Sequence, residues 1–228
     1  MVGIGLARFA YTPLIPPLVT MGWLAASEAA YIGAANLAGY LAGALLARRI
    51  AAHVPAAMVL RIMMLTATLT FLACGMRLSF PWIFAWRFAS GLAGGVLMVL
   101  AATTVLPHVA PARRGLAGGV IFTGVGLGIA ASGTLVPLLL RLGLAATWCG
   151  LGALSLVLTL LAWTGWPEAS SPPEAAMSPE NSAPRRTAVG AICVEYGLSA
   201  VGLVPHMIFL VDFIARGLGE GLEVGALY

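Results

Sequence analysis

Three groups of polar residues lie inside long apolar stretches of this sequence, and their types and spacing are the first guide to its chemistry. In the stretch Arg87-Phe-Ala-Ser-Gly91-Leu-Ala-Gly-Gly95, Ser90 and Gly91 would share one helical face with Arg87. Two interpretations of Arg87 remain open. It either borders a water-filled cavity, where it holds an anion or influences a proton, or lies near a helix end and extends its guanidinium to the interface.

The second group contains Arg8, Tyr11 and Thr12, which would form a polar face about one helical turn deep. The stretch 13–17 contains three prolines and is expected to bend or interrupt the helix. A broken helix is tolerated at membrane depth only where protein or water satisfies the freed backbone groups. Arg8 therefore either belongs to such an internal site or lies at the membrane boundary.

The third group contains Glu195, Ser199 and His206, at i, i+4 and i+11. These positions fall within about 40° of one another on a helix at 100° per residue. A carboxylate and a histidine on one face can bind and release protons. The alternative is that Glu195 is solvated at a helix end and that His206 is a packing residue. Asn36, in another stretch, is expected to hydrogen-bond between helices.

The residue patterns of the common enzyme classes are missing from the sequence. It contains no H-E-x-x-H, no serine elbow and no paired carboxylates. Gly124-Val-Gly-Leu-Gly128 superficially resembles a nucleotide-binding loop, but no strand precedes it and no acidic residue follows. The three cysteines are single and far apart, which indicates neither disulfides nor a zinc site. We therefore expect no enzymatic activity, no cofactor and no metal.

The composition indicates a membrane protein. Of 228 residues, 61% are hydrophobic and 9% are charged, whereas soluble domains contain roughly 25% charged residues. A surface with so few charges requires a lipid bilayer as its partner. The net charge of +4 comes from arginines dispersed in ones and twos. Nucleic acid binding, which needs a basic stripe, is not indicated.

Seven apolar stretches are long enough to cross a bilayer, which takes about 20 residues. The sequence therefore predicts an all-α fold, a polytopic transmembrane helix bundle. The predicted spans are 3–20, 27–47, 57–76, 81–105, 115–140, 144–165 and 188–214.

A polar segment separates six of these spans from the seventh. Residues 167–187 contain five prolines, three glutamates and an arginine pair, a composition typical of a flexible linker. We expect a six-helix unit at 1–166, a cytoplasmic linker at 167–187, and the first helix and outer loop of an incomplete second half at 188–228. A cytoplasmic amino terminus puts seven arginines on the cytoplasmic side, counting Arg61 at the start of the third span, against Arg77, Arg141 and Arg216 on the opposite side, as the positive-inside rule requires.

Small residues at regular spacing predict where helices approach one another closely. Gly119, Gly126 and Gly133 repeat every seven residues and would line one packing seam. Closer steps of four residues occur in two other spans, at Gly39 and Gly43 and at Gly91 and Gly95.

Four stretches of the sequence are similar to a known family. They are Gly5-Leu-Ala-Arg8-Phe-Ala-Tyr-Thr-Pro-Leu-Ile-Pro16, Gly39-Tyr-Leu-Ala-Gly43, Arg87 to Gly95, and Gly124 to Gly133. Together they resemble the major facilitator superfamily, most closely its YbfB/YjiJ-type branch. The resemblance implies a solute site at the membrane midplane between two six-helix halves, bordered by helices one, four and seven. It implies that Arg8, Arg87 and the polar face of the seventh helix lie on the substrate or proton pathway.

The expected function is secondary active transport of a small organic solute, with protons as one candidate coupling ion, across the cell inner (plasma) membrane. The resemblance covers the first half of a complete member and a little more. We therefore expect a truncated transporter whose carboxy-terminal half is missing. The alternative is a non-transporting membrane fragment or a helical packing partner.

Overall fold

A computed structural model describes residues 1–167 and 182–225, and the regular structure in those ranges is helical throughout. Within these ranges, six helical spans are long and apolar enough to cross a membrane. This confirms the predicted all-α transmembrane helix bundle. The spans are Val2–Thr20, Ala26–Ala51, Ala56–Cys74, Phe80–His108, Pro111–Leu140 and Leu144–Ala162.

The first span, Val2–Thr20, is not a continuous α-helix. It consists of a π-helical turn (Val2–Leu6), a 3-10 stretch (Phe9–Leu14) and a short α-helix, α1 (Ile15–Thr20). The predicted interruption is therefore confirmed. The prolines at 13–17 lack the backbone N–H groups that an α-helix needs, and tight 3-10 geometry replaces part of its hydrogen-bond pattern.

The other five spans contain regular α-helices. These are α2 (Ala26–Ala51), α3 (Ala56–Cys74), α4 (Phe80–Val105), α5 (Arg114–Leu140) and α6 (Leu144–Ala162). Short 3-10 turns extend the end of α4 and the start of α5. Gly143, at a φ of 102° that favours glycine, makes the tight turn between α5 and α6.

The helix α7 (Ser182–Asp212) continues into a π-helical turn, Phe213–Gly217, and is followed by the short α8 (Leu222–Gly225). Its apolar portion, Gly190–Leu203, is shorter than the six spans, so the seventh membrane crossing stays a prediction. Most of the predicted linker lies outside the described residues. The proposed division into two units likewise stays a prediction.

The first span lies at the centre of the bundle and is the most buried of the six. Its π-helical turn contacts α3, α4, α5 and α6, while α2 packs along α4 and α3 packs against both α4 and α6. The hydrophobic core is built from large side chains of the first span and of α2 to α6. Its fully buried members include Leu6, Leu14, Ile32, Leu60, Phe71, Val96, Val136, Trp148 and Leu151.

Glycines allow the backbones of α2 and α4 to touch. A Cβ added at Gly39 would overlap the carbonyl oxygen of Phe88, and one added at Gly91 would overlap that of Asn36. Gly43 and Gly95 face the opposite helix in the same way. The two four-residue glycine steps thus lie against each other, an arrangement that brings α4 close to α2 over two turns.

Polar contacts join α3 to α6. The hydroxyls of Thr68 and Ser155 lie 2.8 Å apart in the buried interface. Near one end of the same pair, Arg61 Nε donates to the Trp163 carbonyl at 2.8 Å, and its guanidinium lies 5.7 Å from the indole ring centroid. Arg61 is thus an arginine of a membrane span that is engaged at a helix end rather than in the centre of the bundle.

Candidate functional site

Arg87 lies inside the bundle, with 1% of its surface exposed. Its Nη1 donates to the carbonyl oxygen of Ala7 at 2.9 Å, and Ser90 Oγ donates to the same oxygen at 3.3 Å. The guanidinium also lies over the ring of Tyr11, 4.7 Å from the centroid. The guanidinium therefore does not extend to the surface of the described bundle, whatever role it has.

Hydrogen bonds with neighbouring helices hold the break in the first span. Ala7 lies between the π-helical turn and the 3-10 stretch, where its carbonyl accepts the two bonds from α4. Two residues earlier, the Gly5 carbonyl accepts from Ser132 Oγ of α5 at 3.0 Å. Tyr11 Oη donates to the Ala29 carbonyl of α2 at 2.8 Å. Three helices thus fix an irregular backbone at membrane depth, as such a backbone requires.

Asn36 joins α2 to the same region of α4. Its Nδ2 donates to the carbonyl oxygen of Arg87 at 2.9 Å, and the side chain is buried. The expected hydrogen bond between helices is confirmed. Because this bond holds the backbone of Arg87 itself, it limits how far the guanidinium can shift along α4.

A small cavity of about 20 Å³ lies beside the guanidinium. It has room for about one water-sized group. Arg87 Nε, which is buried, has no hydrogen-bond partner among the described residues. The cavity thus brings together the predicted polar residues of the first span and Arg87. Its lining residues are Arg8, Phe9, Tyr11, Thr12, Gly33, Asn36, Leu37 and Arg87.

Arg8 is half-buried at this cavity and lies against aromatic rings. Its guanidinium carbon is 5.4 Å from the ring centroid of Phe9 and 5.6 Å from that of Tyr40 on α2. Thr12, the third predicted residue of the first span, is buried at the same cavity. The cavity therefore has two cations on its border and neutral groups around them.

The polar residues of α7 lie elsewhere. The side chains of Glu195, Ser199 and His206 are exposed, and none of them lines the cavity at Arg87. The helix itself lies against the 3-10 stretch of the first span and against α1. At the end of α7, Asp212 pairs with Arg216 of the following π-helical turn, and this hydrogen bond raises the pKa of the Arg216 guanidinium.

The family described as uncharacterised MFS-type transporter YbfB matches residues 1–228. The chain belongs to this family of the major facilitator superfamily. The resemblance expected from the sequence is therefore confirmed, and the six spans agree with a multi-pass membrane protein. No curated protein matches the chain.

In this MFS-type chain, α5 approaches the first span at a glycine other than those predicted. Gly128 lies against Gly5 so closely that a Cβ on either would overlap the other's backbone. Cβ atoms added at Gly119 or Gly126 would meet nothing within 4 Å, and Gly133 is half-buried. The contact of α5 with the first span therefore follows the Gly128–Ser132 face, which the sequence analysis missed.

A second cavity in the MFS-type bundle is larger and apolar, with a volume of about 450 Å³. It lies where the π-helical turn of the first span meets α3, α4, α5 and α6. Its size falls within the usual range of small-molecule pockets. Its lining side chains include Met64, Leu97, Met98, Val125 and Trp166, none of which is charged.

Proposed function

We propose that this protein acts in secondary active transport of a small organic solute across the cell inner (plasma) membrane, with its amino terminus on the cytoplasmic side. The main support is the buried Arg87 at the Ala7 carbonyl, beside a cavity in the centre of the bundle. An ionisable group at the bilayer centre costs roughly 2.5–3.5 kcal/mol on insertion scales. Apolar packing would hold the bundle together without that cost, so a function of the arginine explains its presence best.

The transport cycle, in this proposal, uses the irregular first span as its moving part. Arg87 and Ser90 bond to the Ala7 carbonyl of this span, and Ser132 bonds to the nearby Gly5 carbonyl. Such contacts have discrete made and broken states. A shift of the first span against α4 would exchange the two states and open the cavity to one side or the other, as alternating access requires.

Two further parts of the proposal concern partners. The exposed face of α7, with Glu195, Ser199 and His206, would take up and release protons and so couple transport to a proton gradient. The exposed small residues of α5 at Gly119 and Gly126 would pack against a second helical unit. That unit, the expected carboxy-terminal half of a complete transporter, would form the other wall of the solute pathway.

The same α5 face supports a second candidate function, that of a non-transporting helical packing partner. Close packing of glycine-bearing helices needs no solute and no gradient. The two candidates differ in a single respect, the movement of a solute. Only a transporter loses its activity when the gradient is collapsed.

The test is a flux measurement on the full-length gene product, reconstituted in liposomes with an imposed inward proton gradient. Uptake is measured for a panel of labelled organic acids, amines and neutral polyols. We expect gradient-driven accumulation of at least one of them, abolished by a protonophore and absent from empty liposomes. Accumulation of none, by protein that is shown to be folded and inserted, would favour the packing partner.

Proton coupling has its own variants in the same assay. E195Q and H206Q remove the two titratable groups of the α7 face while keeping their approximate size. We expect uptake that no longer follows the proton gradient. Exchange of unlabelled for labelled solute, which needs no net proton movement, should persist. Unchanged gradient dependence in both variants would exclude this face as the proton pathway.

A further inference from the structure

Two arginines border one small cavity in the bundle, and no acidic residue of the part of the chain that the structure describes lines it. Arg87 contacts a carbonyl oxygen and an aromatic ring, and Arg8 contacts two aromatic rings. These partners are dipoles and π-faces, which attract a cation but do not cancel its charge. The border of the cavity therefore has two positive charges that none of the described protein groups neutralises.

The described acidic side chains are engaged or exposed elsewhere. Glu28 accepts from the Ala25 N–H at the start of α2 at 2.7 Å, and Asp212 pairs with Arg216. Glu195 is exposed on α7, and Glu220 is exposed after the π-helical turn. Within residues 1–167 and 182–225, no carboxylate lies among the residues that line the cavity. An uncompensated buried charge is strongly unfavourable, so an anion from outside the chain would stabilise this site.

The unpartnered donor of Arg87 indicates what kind of anion fits. Arg87 donates to Ala7 through Nη1, its buried Nε has no hydrogen-bond partner among the described residues, and its side chain lines the cavity. Arginine recognises planar carboxylates through such N–H groups. A cavity of about 20 Å³ takes one oxygen-sized group, so one carboxylate oxygen would enter it and the rest of the anion would lie outside.

We propose that the cavity at Arg87 and Arg8 binds the carboxylate of a small organic anion, and that the transported solute is therefore an organic acid. One carboxylate oxygen accepts from Arg87 Nε, and the half-buried Arg8 supplies the second charge at the opening. This inference rests on the proposed transport function for its second part only. Binding of the carboxylate is a property of the site whether or not the solute crosses the membrane.

The experiment measures binding with purified full-length protein by the shift of its thermal unfolding midpoint. The probes are acetate, propionate, lactate and benzoate, each compared with its amide, which has nearly the same shape and no charge. Sodium chloride at matched ionic strength and inorganic phosphate are run in parallel. A ligand that binds the folded state raises the midpoint in proportion to the logarithm of its concentration once the site is filled.

We expect at least one acid to raise the midpoint, with its amide weaker by at least tenfold in concentration. R87Q should weaken that binding by at least tenfold. R8Q should weaken it less, by severalfold. R61Q, on the arginine that is engaged by Trp163, should bind as the wild type does. If R87Q does not fold, R8Q and the comparison of acid with amide decide the matter.

Several results would overturn the proposal. They are equal shifts with acid and amide, shifts by phosphate or chloride that match those of the acids, no shift with any acid, and wild-type binding by R87Q. The transport function is tested separately, by the uptake measurement in liposomes. Acids that bind without any solute crossing the membrane would leave this site in place and refute transport. Uptake of amines or polyols alone would leave transport in place and refute an organic acid as the transported solute.

Discussion

Arg87 of α4 and Ala7 of the first span are joined by a hydrogen bond of 2.9 Å, although they lie 80 residues apart in the sequence. The acceptor is a main-chain carbonyl at the point where the π-helical turn ends. Ser90, one turn further along α4, donates to the same oxygen. Two side chains of one helix thus converge on one carbonyl of another, and any movement of α4 against the first span must change both bonds.

The two contacts of Tyr11 can be separated by substitution. Y11F removes the hydrogen bond to Ala29 and keeps the ring under Arg87. We expect it to lower the free energy of unfolding by about 1 kcal/mol and to leave solute uptake near the wild-type rate. Y11L also removes the ring, which we expect to cost about 1 kcal/mol more and to slow uptake. Equal behaviour of the two variants in denaturation and uptake assays would show that the ring contributes nothing.

The backbone contact of α2 with α4 predicts a strong effect of a single methyl group. G91A would push a Cβ into the Asn36 carbonyl, and we expect a loss of about 1–3 kcal/mol in stability because backbone cannot move aside cheaply. G115A is the matched control, since nothing lies within 4 Å of its Cβ. It should be neutral or slightly stabilising, because alanine favours helix over glycine. A lower unfolding midpoint for G115A than for G91A would contradict the packing.

The bond from Ser132 to the Gly5 carbonyl should contribute a measurable part of the attachment of α5. We expect S132A to cost about 0.6–1 kcal/mol, the usual range for hydrogen bonds between membrane helices. Thr134 provides the control, because its exposed hydroxyl bonds only to carbonyls of its own helix. Unfolding in denaturant should separate S132A from T134A. If both variants unfold like the wild type, the hydrogen bond from Ser132 to Gly5 contributes nothing measurable to the free energy of unfolding.

The spans could be predicted from the sequence because the bilayer imposes their length. About 20 apolar residues are needed to cross it, and prolines, glycines and arginine pairs mark the breaks between stretches. A close helix contact on one face of α2 and on one face of α4 could also be predicted from Gly39 and Gly43 and from Gly91 and Gly95, but not that these two faces contact each other. A spacing of four residues puts both glycines of a helix on the same face, so the sequence alone identifies that face as one that another helix can approach closely.

The partner of Arg87 could not be predicted. The acceptor is a carbonyl of Ala7, and every residue offers a carbonyl, so no side chain signals it. The face of α5 was missed for a related reason. Its glycines are so frequent that several faces are small, and the rotation that brings Gly128 and Ser132 to Gly5 is set by the neighbouring helices.

The most direct test of the account is the uptake rate of R87A relative to the wild type, measured in liposomes with the labelled solute that the wild-type protein accumulates best. R61A, which removes an arginine of α3 that bonds to the Trp163 carbonyl at a helix end, is measured beside it. Insertion of all three proteins is verified by protease protection and by the amount recovered in the membrane. We predict that R87A loses at least nine-tenths of the uptake rate, a tenfold loss that corresponds to roughly 1.4 kcal/mol in the barrier. R61A should retain the wild-type rate. Uptake by inserted R87A at the wild-type rate would contradict the central claim that Arg87 acts on the solute pathway.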